Sequence, residues 1–559
     1  MLVSDAIAST LAGLGVDTVF GVVGSGNFHV TNALIGNGAS YIAARHECGA
    51  ASMADAWARQ TGRTGVVSVH QGPGLTNALT AITEAAKSRT PLLVLAADVS
   101  SAAVTSNFRI DVNAIAKSVG ATPARLHSAG FAVDDTVRAF LTAQNERRTV
   151  VLALPLDVQA AECTWPGPAL PRTASASAPA PGQAAALASA LAAAAQPVFI
   201  AGRGARHAAA REPLEVLAGQ CGALLATSAA AKGLFCGSPW NLDVSGGFAS
   251  PLAAELIGKA DLVVGWGSSL NMWTTRHGTL IGPGAMVAQV DSDKSAIGAH
   301  QPVQLGVVGD VAMTAQAVSA LLPQGDAAGA AAPGDRRDDN RGYRSALLKD
   351  RISAEVRWRD VPYEDESDGQ RIDPRTLTIA LDDMLPAERI VAVDSGNFMG
   401  YPSMFLSVPD QDGFCFTQAY QSIGLGLSSA IGAAIARPDR LTVAALGDGG
   451  ALMGVSELET AVRLALPMVI VIYDDEAYGA EVHHFGPDGH PVDTVRFPAA
   501  DLAAIGRGFG CAAVTVRSAD DLGPVREWLD SRPDRPIVID AKVTIDHGSW
   551  WLEEAFRGH

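Results

Sequence analysis

The chain has 559 residues, of which 48% are apolar and 18% charged, and a formal net charge of −17. That length implies about three domains, and that apolar content implies large cores rather than disorder. The acidic balance, without a basic run carrying interleaved aromatics, excludes a nucleic-acid surface, and no apolar stretch is long enough to span a membrane.

In chain order, Val3 to Leu14 reads as an amphipathic helix with no charged leader or cleavage site before it, which points to the cytoplasm. Cys48, Cys163, Cys221, Cys236, Cys415 and Cys511 show no C-x-x-C spacing, so reduced core thiols are expected and a zinc site is not. Residues 1–165 alternate helix and strand, as in a doubly wound α/β layer. The strands expected are Thr18 to Phe20, Tyr41 to Ala43, Val66 to Val69, Leu92 to Ala96 and Thr149 to Leu154. Three loops in this block carry polar residues beside glycines. Ser25 lies in Gly24-Ser25-Gly26, Glu47 opens a helix after Arg45-His46, and His70 precedes Gln71-Gly72-Pro73-Gly74 with Asn77 following. Taken singly, a glutamate in a first helical turn complements the helix dipole, and a histidine ending a strand is a core residue as often as a proton donor.

Residues 166–183 are rich in Pro, Ala and Ser and read as a linker. A second α/β block spans 184–323. Its strand Pro197 to Ala201 ends in Gly202-Arg203-Gly204, and Met286 to Val290 ends in Asp291. This is a nucleotide-binding layout, but the third glycine of the fingerprint is missing. FAD or another nucleotide in this central block is therefore not favoured. Residues 324–340 read as a second linker. A third block, 373–559, begins its sheet at Ile390 to Val393 and ends in a tail with two tryptophans, Trp550 and Trp551. That tail either folds over a site or a subunit interface, or is a docked terminal helix.

The stretch from Leu441 to Glu481 carries the clearest chemistry. Leu441 to Leu446 is a buried strand broken by Gly447-Asp448-Gly449-Gly450. Ser456 with Glu459 has the spacing of a capping box, which predicts a helix start there. Pro467 ends that helix, and Met468 to Tyr473 is the next strand. Parallel strands joined by a helix end at one sheet edge, so Asp448 and Asp475 emerge side by side. Two carboxylates in that position suit a hard cation.

GDGG, the helix, the strand and Asp474-Asp475 with Tyr478-Gly479 together resemble the diphosphate-binding motif of thiamine-diphosphate enzymes of the acetolactate synthase, benzoylformate decarboxylase and pyruvate decarboxylase superfamily. In that family the closing pair is usually Asn-Asn. The resemblance extends over essentially the whole chain. It implies three doubly wound parallel-sheet α/β domains: a pyrimidine-binding domain (1–165), a central Rossmann-like domain (184–323) and a diphosphate-binding domain (373–559). It further implies Mg²⁺ held by Asp448, Asp475 and the carbonyl of Ala477. Around the cofactor it places Gly396, Asn397, Phe398, Gly447, Gly449, Gly450, Tyr478 and Gly479, with Ile423 wedging its bend. From the first domain it adds Gly72, Pro73, Asn77 and Glu47, the last bonding the aminopyrimidine ring. His70, Ser25 and Glu481 are the further catalytic candidates, and Gln71, Arg109 and Ala480 the substrate candidates. Arg109 could equally be a surface arginine.

The implied activity is formation of a carbanion-enamine from a small 2-oxo acid by decarboxylation, with or without carboligation. The alternatives are an acyloin or 2-hydroxyacyl-CoA lyase that loses no CO₂, and a non-catalytic cofactor-binding paralogue. Phe108-Arg109-Ile110 and Pro155-Leu156-Asp157 stand where acetolactate synthases carry Phe-Gln-Glu and Pro-Lys-Asp, which counts against true acetolactate synthase activity. A homodimer or homotetramer is also implied, because in the family the first domain of one subunit and the last of another clasp the cofactor.

Overall fold

The computed structural model describes residues 1–165, 167, 176–206, 209–322, 342–546 and 548–557. Within them lie three sheets of six strands. The first holds β1 (Thr18–Gly21), β2 (Ser40–Ala43), β3 (Gly65–Val69), β4 (Leu92–Asp98), β5 (Thr122–Arg125) and β6 (Thr149–Pro155), in the order β2-β1-β3-β4-β6-β5. The second holds β7 (Pro197–Ala201), β8 (Leu224–Thr227), β9 (Asn241–Val244), β10 (Leu262–Trp266), β11 (Met286–Asp291) and β12 (Leu305–Val308), in the order β12-β11-β10-β7-β8-β9. The third holds β13 (Arg389–Val393), β14 (Phe414–Phe416), β15 (Leu441–Gly447), β16 (Met468–Asp474), β17 (Ala512–Val516) and β18 (Ile537–Lys542), in the order β14-β13-β15-β16-β18-β17.

All recorded pairings within these sheets are parallel. Every residue of β3, β4 and β16 is buried, as expected where helices cover both faces. Counted from its own first strand, the third sheet repeats the order of the first. Each reverses direction between its first and third strands, and ligands of open α/β sheets bind at the carboxyl ends beside such a reversal. In the first sheet that edge carries the Gly24–Gly26 and His70–Gly74 loops. In the third it carries Asp394–Phe398, Gly447–Gly450 and the end of β16.

The first and third domains share one apolar core. The helix Glu47–Thr61 lies against the helix Gly426–Ala436, and a Cβ on Gly432 would come within 2.2 Å of the Met53 carbonyl oxygen. Only glycine permits that approach. Arg59 on the same helix pairs with Asp55 at 2.7 Å and Glu84 at 2.9 Å, and donates to the Phe416 carbonyl at 2.8 Å. Arg203 of the central domain adds a hydrogen bond to the Ser88 carbonyl at 2.7 Å. All three domains are therefore pinned at one buried charge cluster.

The central reversal point lies between β7 and β10 and is filled by its own backbone. Gly202 N–H donates to Trp266 O and Gly204 N–H to Gly267 O, both at 2.9 Å. A Cβ on Gly204 would meet Gly267 Cα at 2.8 Å. Asp291 and Asp293 face Arg89 of the first domain at 3.6 and 3.1 Å.

Several expectations need revision. The helix read as starting at Ser456 is present, with Ser456 at its N-cap position, and a further short helix precedes it, starting at Asp448 directly off β15. The short helix runs to Met453, and the one after Ser456 covers Glu457–Arg463. Ser456 has φ −59° and ψ −27°, a helical geometry, and its side chain makes no cap. The helix Pro181–Ala193 begins inside the stretch read as the first linker. The second linker, 324–340, falls outside the described residues. All six cysteines are free thiols. Among the described residues no helix is long and apolar enough to cross a membrane.

Candidate active site

On the first sheet's edge, the loop after β1 is held by Asn27, a buried side chain. Its Oδ1 accepts from Gly24 N–H at 2.8 Å, and its Nδ2 donates to Val22 O at 3.1 Å and Ser68 Oγ at 3.0 Å. This presents Gly26 N–H to His70 Nδ1 at 3.0 Å. Nδ1 is therefore an acceptor, and a neutral His70 carries its proton on Nε2. Burial lowers the His70 pKa, against an opposing pull from Glu47. The ring stands edge-on to Phe108 at 5.2 Å. Gly72 has φ +65° and its position backs onto Phe108, so the chain can turn there into the helix Pro73–Asn77.

Asn77 Nδ2 donates to Glu47 Oε2 at 3.0 Å, and a Cβ on Gly74 would lie 3.0 Å from His70 Cβ and 3.5 Å from Glu47 Oε1. Glu47, His70, Gly72, Pro73, Gly74 and Asn77 thus form one cluster. Ser25 sits on its rim, exposed. Gln71 is buried behind Gly26, with Oε1 lacking a hydrogen-bond partner. Arg109 is exposed, and among the described residues its guanidinium makes no recorded ion pair.

The entry to the Glu47 helix is held from the third domain. Glu457 Oε1 accepts from the N–H groups of Arg45 and His46, each at 3.0 Å. Its Oε2 accepts from Thr460 Oγ1 at 2.7 Å.

On the third sheet's edge, Asp448 is the first residue of its helix and is almost fully buried. Its carboxyl is pushed up to about 8, first by burial, then by Asp475 and Asp474. Burial likewise pushes Asp475 up to about 6. Two acids placed together in this way, one buried and one half-buried, form a seat for positive charge. Asn397 Nδ2 lies 3.5 Å from Asp475 Oδ2. A Cβ on Gly479 would meet that oxygen at 2.1 Å, and one on Gly449 would meet the Tyr478 ring at 2.5 Å. Gly396, at φ +139°, turns the chain into Asn397 and Phe398, and the Phe398 ring stacks on Tyr473 at 5.3 Å. Gly447 packs on Phe398, and Gly450 faces Asp394. Ile423 is half-buried beside Gly424, whose N–H donates to Asp394 at 2.9 Å. Ala477, Ala480 and Glu481 lie further along the same edge, half-buried.

Sequence reasoning missed four residues here. Asp394 is fully buried, and burial pushes its carboxyl up to about 6. It stands at the carboxyl end of β13, which was a usable signal. Ser549 donates to Asn397 O at 3.0 Å and to Asn397 Oδ1 at 2.9 Å, so the tail docks within this chain, beside the Asp475 loop. Glu457 and Lys542 gave no local signal. Among the described residues, no hydrogen bond or ion pair joins the Glu47–His70 set to the Asp448–Asp475 set.

Three family models match this chain. They are the N-terminal thiamine pyrophosphate binding domain over residues 1–116, the central domain over 184–318, and the C-terminal thiamine pyrophosphate binding domain over 394–541. The chain belongs to the thiamine pyrophosphate enzyme family. It is 32% identical to a protein of Pseudomonas aeruginosa named "Probable 2-ketoarginine decarboxylase", with 92% of this chain and 90% of that protein aligned. It is 28% identical to a sulfoacetaldehyde acetyltransferase of Castellaniella defragrans, over 99% of this chain and 95% of that one. It is also 28% identical to the acetolactate synthase isozyme 2 large subunit of Escherichia coli, over 85% and 83%. This thiamine-diphosphate-dependent enzyme thus has relatives named for decarboxylation, acetyl transfer and acetolactate synthesis.

Proposed function

We propose that this enzyme uses thiamine diphosphate and Mg²⁺ to decarboxylate a 2-oxo acid, the product being either protonated or joined to a second carbonyl. The observation that carries the reading is the pair of buried Asp448 and half-buried Asp475, two carboxyls set against each other beside the glycine-lined turns at Gly396, Gly449 and Gly479. Two acids and the Ala477 carbonyl are the oxygen donors a divalent cation takes, and the exposed amides of the glycine turns suit a diphosphate. The bound cofactor would supply the electron sink for loss of CO₂.

The chain's own residues do the rest. Glu47 Oε2 is occupied by Asn77, which leaves Oε1 to hold a proton. His70 offers a proton from Nε2, because Gly26 occupies Nδ1. Ser25, Gln71, Arg109 and Ala480 line the substrate side, with Glu481 opposite His70. Gly72 and Pro73 shape the first-domain wall, and Ile423 supports the bent cofactor. Because the two sets lie on different sheet edges, a complete centre takes the first domain of one copy and the third of another, in a cytoplasmic homodimer or homotetramer. The name of the Pseudomonas relative supports 2-oxo acids as the substrate class.

The test is CO₂ release from a panel of 2-oxo acids, including one with a guanidinium side chain, beside an acyloin-cleavage assay. CO₂ release that requires both Mg²⁺ and thiamine diphosphate supports the proposal. Acyloin cleavage without CO₂ would assign the lyase chemistry instead. Binding of the cofactor without turnover on either panel would mark a non-catalytic paralogue.

A further inference from the structure

Three consecutive acids, Asp474, Asp475 and Glu476, close β16, and the structure treats them differently. Asp474 is buried and ion-paired with Lys542, its direct partner in the β16–β18 register. The Lys542 ammonium also donates to Ala500 O at 2.9 Å and lies 3.1 Å from Asp540. Glu476 pairs with Arg371 at 2.9 Å, and Arg371 in turn donates to Val543 O at 3.1 Å. Asp475, the middle acid, has no cationic partner among the described residues. It faces Asp448 and Asn397 instead.

The pairing of Asp474 also shapes the backbone. While one of its oxygens is held by Lys542, the other accepts from Glu476 N–H at 3.1 Å. That bond closes a turn in which Glu476 takes φ +56°, a left-handed conformation that is costly for a residue with a Cβ. Phe497 N–H donates to Glu476 O at 2.8 Å, and Tyr478 N–H to Val495 O at 2.9 Å, fixing the far side. The turn sends the Asp474 carboxylate inward and leaves Asp475 and the Ala477 carbonyl at the sheet edge.

We propose that Lys542 is a positioning residue for the cation seat. By clamping Asp474 inward it lets an Asp-Asp pair present a single carboxylate, Asp475, and it holds the left-handed turn that aims Asp475 and the Ala477 carbonyl. Without the ammonium, a buried Asp474 carboxylate must turn toward water or toward the cation, and either movement displaces Asp475. This inference rests on the reading of Asp448 and Asp475 as the Mg²⁺ site.

The test uses the full chain stripped of metal, with Mg²⁺ titrated calorimetrically in the presence of thiamine diphosphate, and thermal unfolding recorded alongside. Loss of a support behind a metal ligand typically weakens metal binding by about 10- to 100-fold, and that is the effect expected for Lys542→Met. Because Asp540 also faces Lys542, the compensating variant is the triple Asp474→Asn/Asp540→Asn/Lys542→Met, which removes all three charges, keeps an acceptor for Glu476 N–H and should recover affinity close to the parent. Lys542→Arg should recover part of it. A Lys542→Met protein that melts lower but binds Mg²⁺ like the parent overturns the proposal. So does a triple variant that binds weakly, and that arm decides the matter if the single variant does not fold. Failure of the underlying reading looks different: Asp448→Asn would then leave Mg²⁺ binding unchanged.

Discussion

The first and third domains have the same strand order and put their polar residues at the same edge, yet they equip it for opposite tasks. In the reading proposed above, the first domain's edge handles protons. Glu47 and His70 each have one polar atom occupied, by Asn77 and by Gly26, and one left over. The third domain's edge gathers carboxyl groups, with Asp448 buried and Asp475 half-buried beside it. The contrast originates where the third strand of each domain ends. After β3 the chain passes through a positive-φ glycine and Pro73, which delay the helix and leave His70 free of it. β15 runs straight into its helix, which places Asp448 in the first turn, where the helix dipole favours a carboxylate. A shared topology fixes where a site lies, and the turn chemistry decides what it does.

The sharpest way to break this contrast is Glu47→Gln. The near-isosteric amide should keep the fold and cofactor binding, and slow hydrogen exchange at the reactive carbon of the bound cofactor by about 10²–10⁴, the usual range for a general acid–base group. Quenched-flow exchange followed by NMR measures it, and exchange at the parent rate would remove Glu47 from the proton-handling side. Next in size is the paired comparison of Gly479→Ala with Gly74→Ala. The first puts a methyl 2.1 Å from Asp475 Oδ2 and should weaken Mg²⁺ binding about 10- to 100-fold. The second crowds His70 and Glu47 and should slow turnover while leaving the Mg²⁺ titration untouched. If both variants shift both readouts, the two edges are not separate in function.

Asp475→Asn should have a smaller effect, because two terms oppose each other. Charges about 4 Å apart interact by roughly 4 kcal/mol at an effective dielectric near 20, so the carboxylate's attraction to Mg²⁺ and its repulsion of the diphosphate largely cancel. The variant should bind Mg²⁺ more weakly in the apo-protein, and thiamine diphosphate more tightly at saturating Mg²⁺. Lys542 does not change this sign, since it pairs with Asp474. Looser cofactor binding, seen by calorimetry at saturating metal, would contradict the charge reading of the third edge.

The smallest effect expected is on pH dependence. Burial holds His70 below the ordinary imidazole value of 6.5. The unfolded chain therefore takes up this proton first, and stability is lost as pH falls from about 6.5 through the lower folded value. Protonation also ends Nδ1's acceptance from Gly26. His70→Gln should flatten the fall of Tm over that window, and calorimetric melts at stepped pH would show an unchanged slope if desolvation did not depress His70 in the fold.

Much of this was legible because it is local. The strands from Leu441 to Tyr473 are continuous apolar runs, as buried parallel strands must be, and GDGG marks the turn between strand and helix. The Ser456 capping box failed for a physical reason. The helix does start after Ser456, but Ser456 already has helical φ and ψ in place of the extended geometry of a capping residue, and its hydroxyl makes no cap. The two Asp residues after Tyr473 look alike in sequence. What separates them is Lys542, on the neighbouring strand and 68 positions away. Glu457 was equally silent, since the Arg45 and His46 amides it accepts from belong to the first domain.

Glu457 has a consequence for how the protein is made. The carboxylate that receives the amides of Arg45 and His46 lies 412 and 411 residues later in the chain. At a synthesis rate of about 5–20 residues per second, it leaves the ribosome about 20–80 s after the helix it caps. Throughout that interval the first domain has its sheet, but the start of the Glu47 helix has two amides without their acceptor, and much of the apolar face around Met53 lacks its cover. The nascent first domain is thus an incomplete body with an open seam, and the edge that carries Glu47 acquires its final shape only when the last domain closes over it.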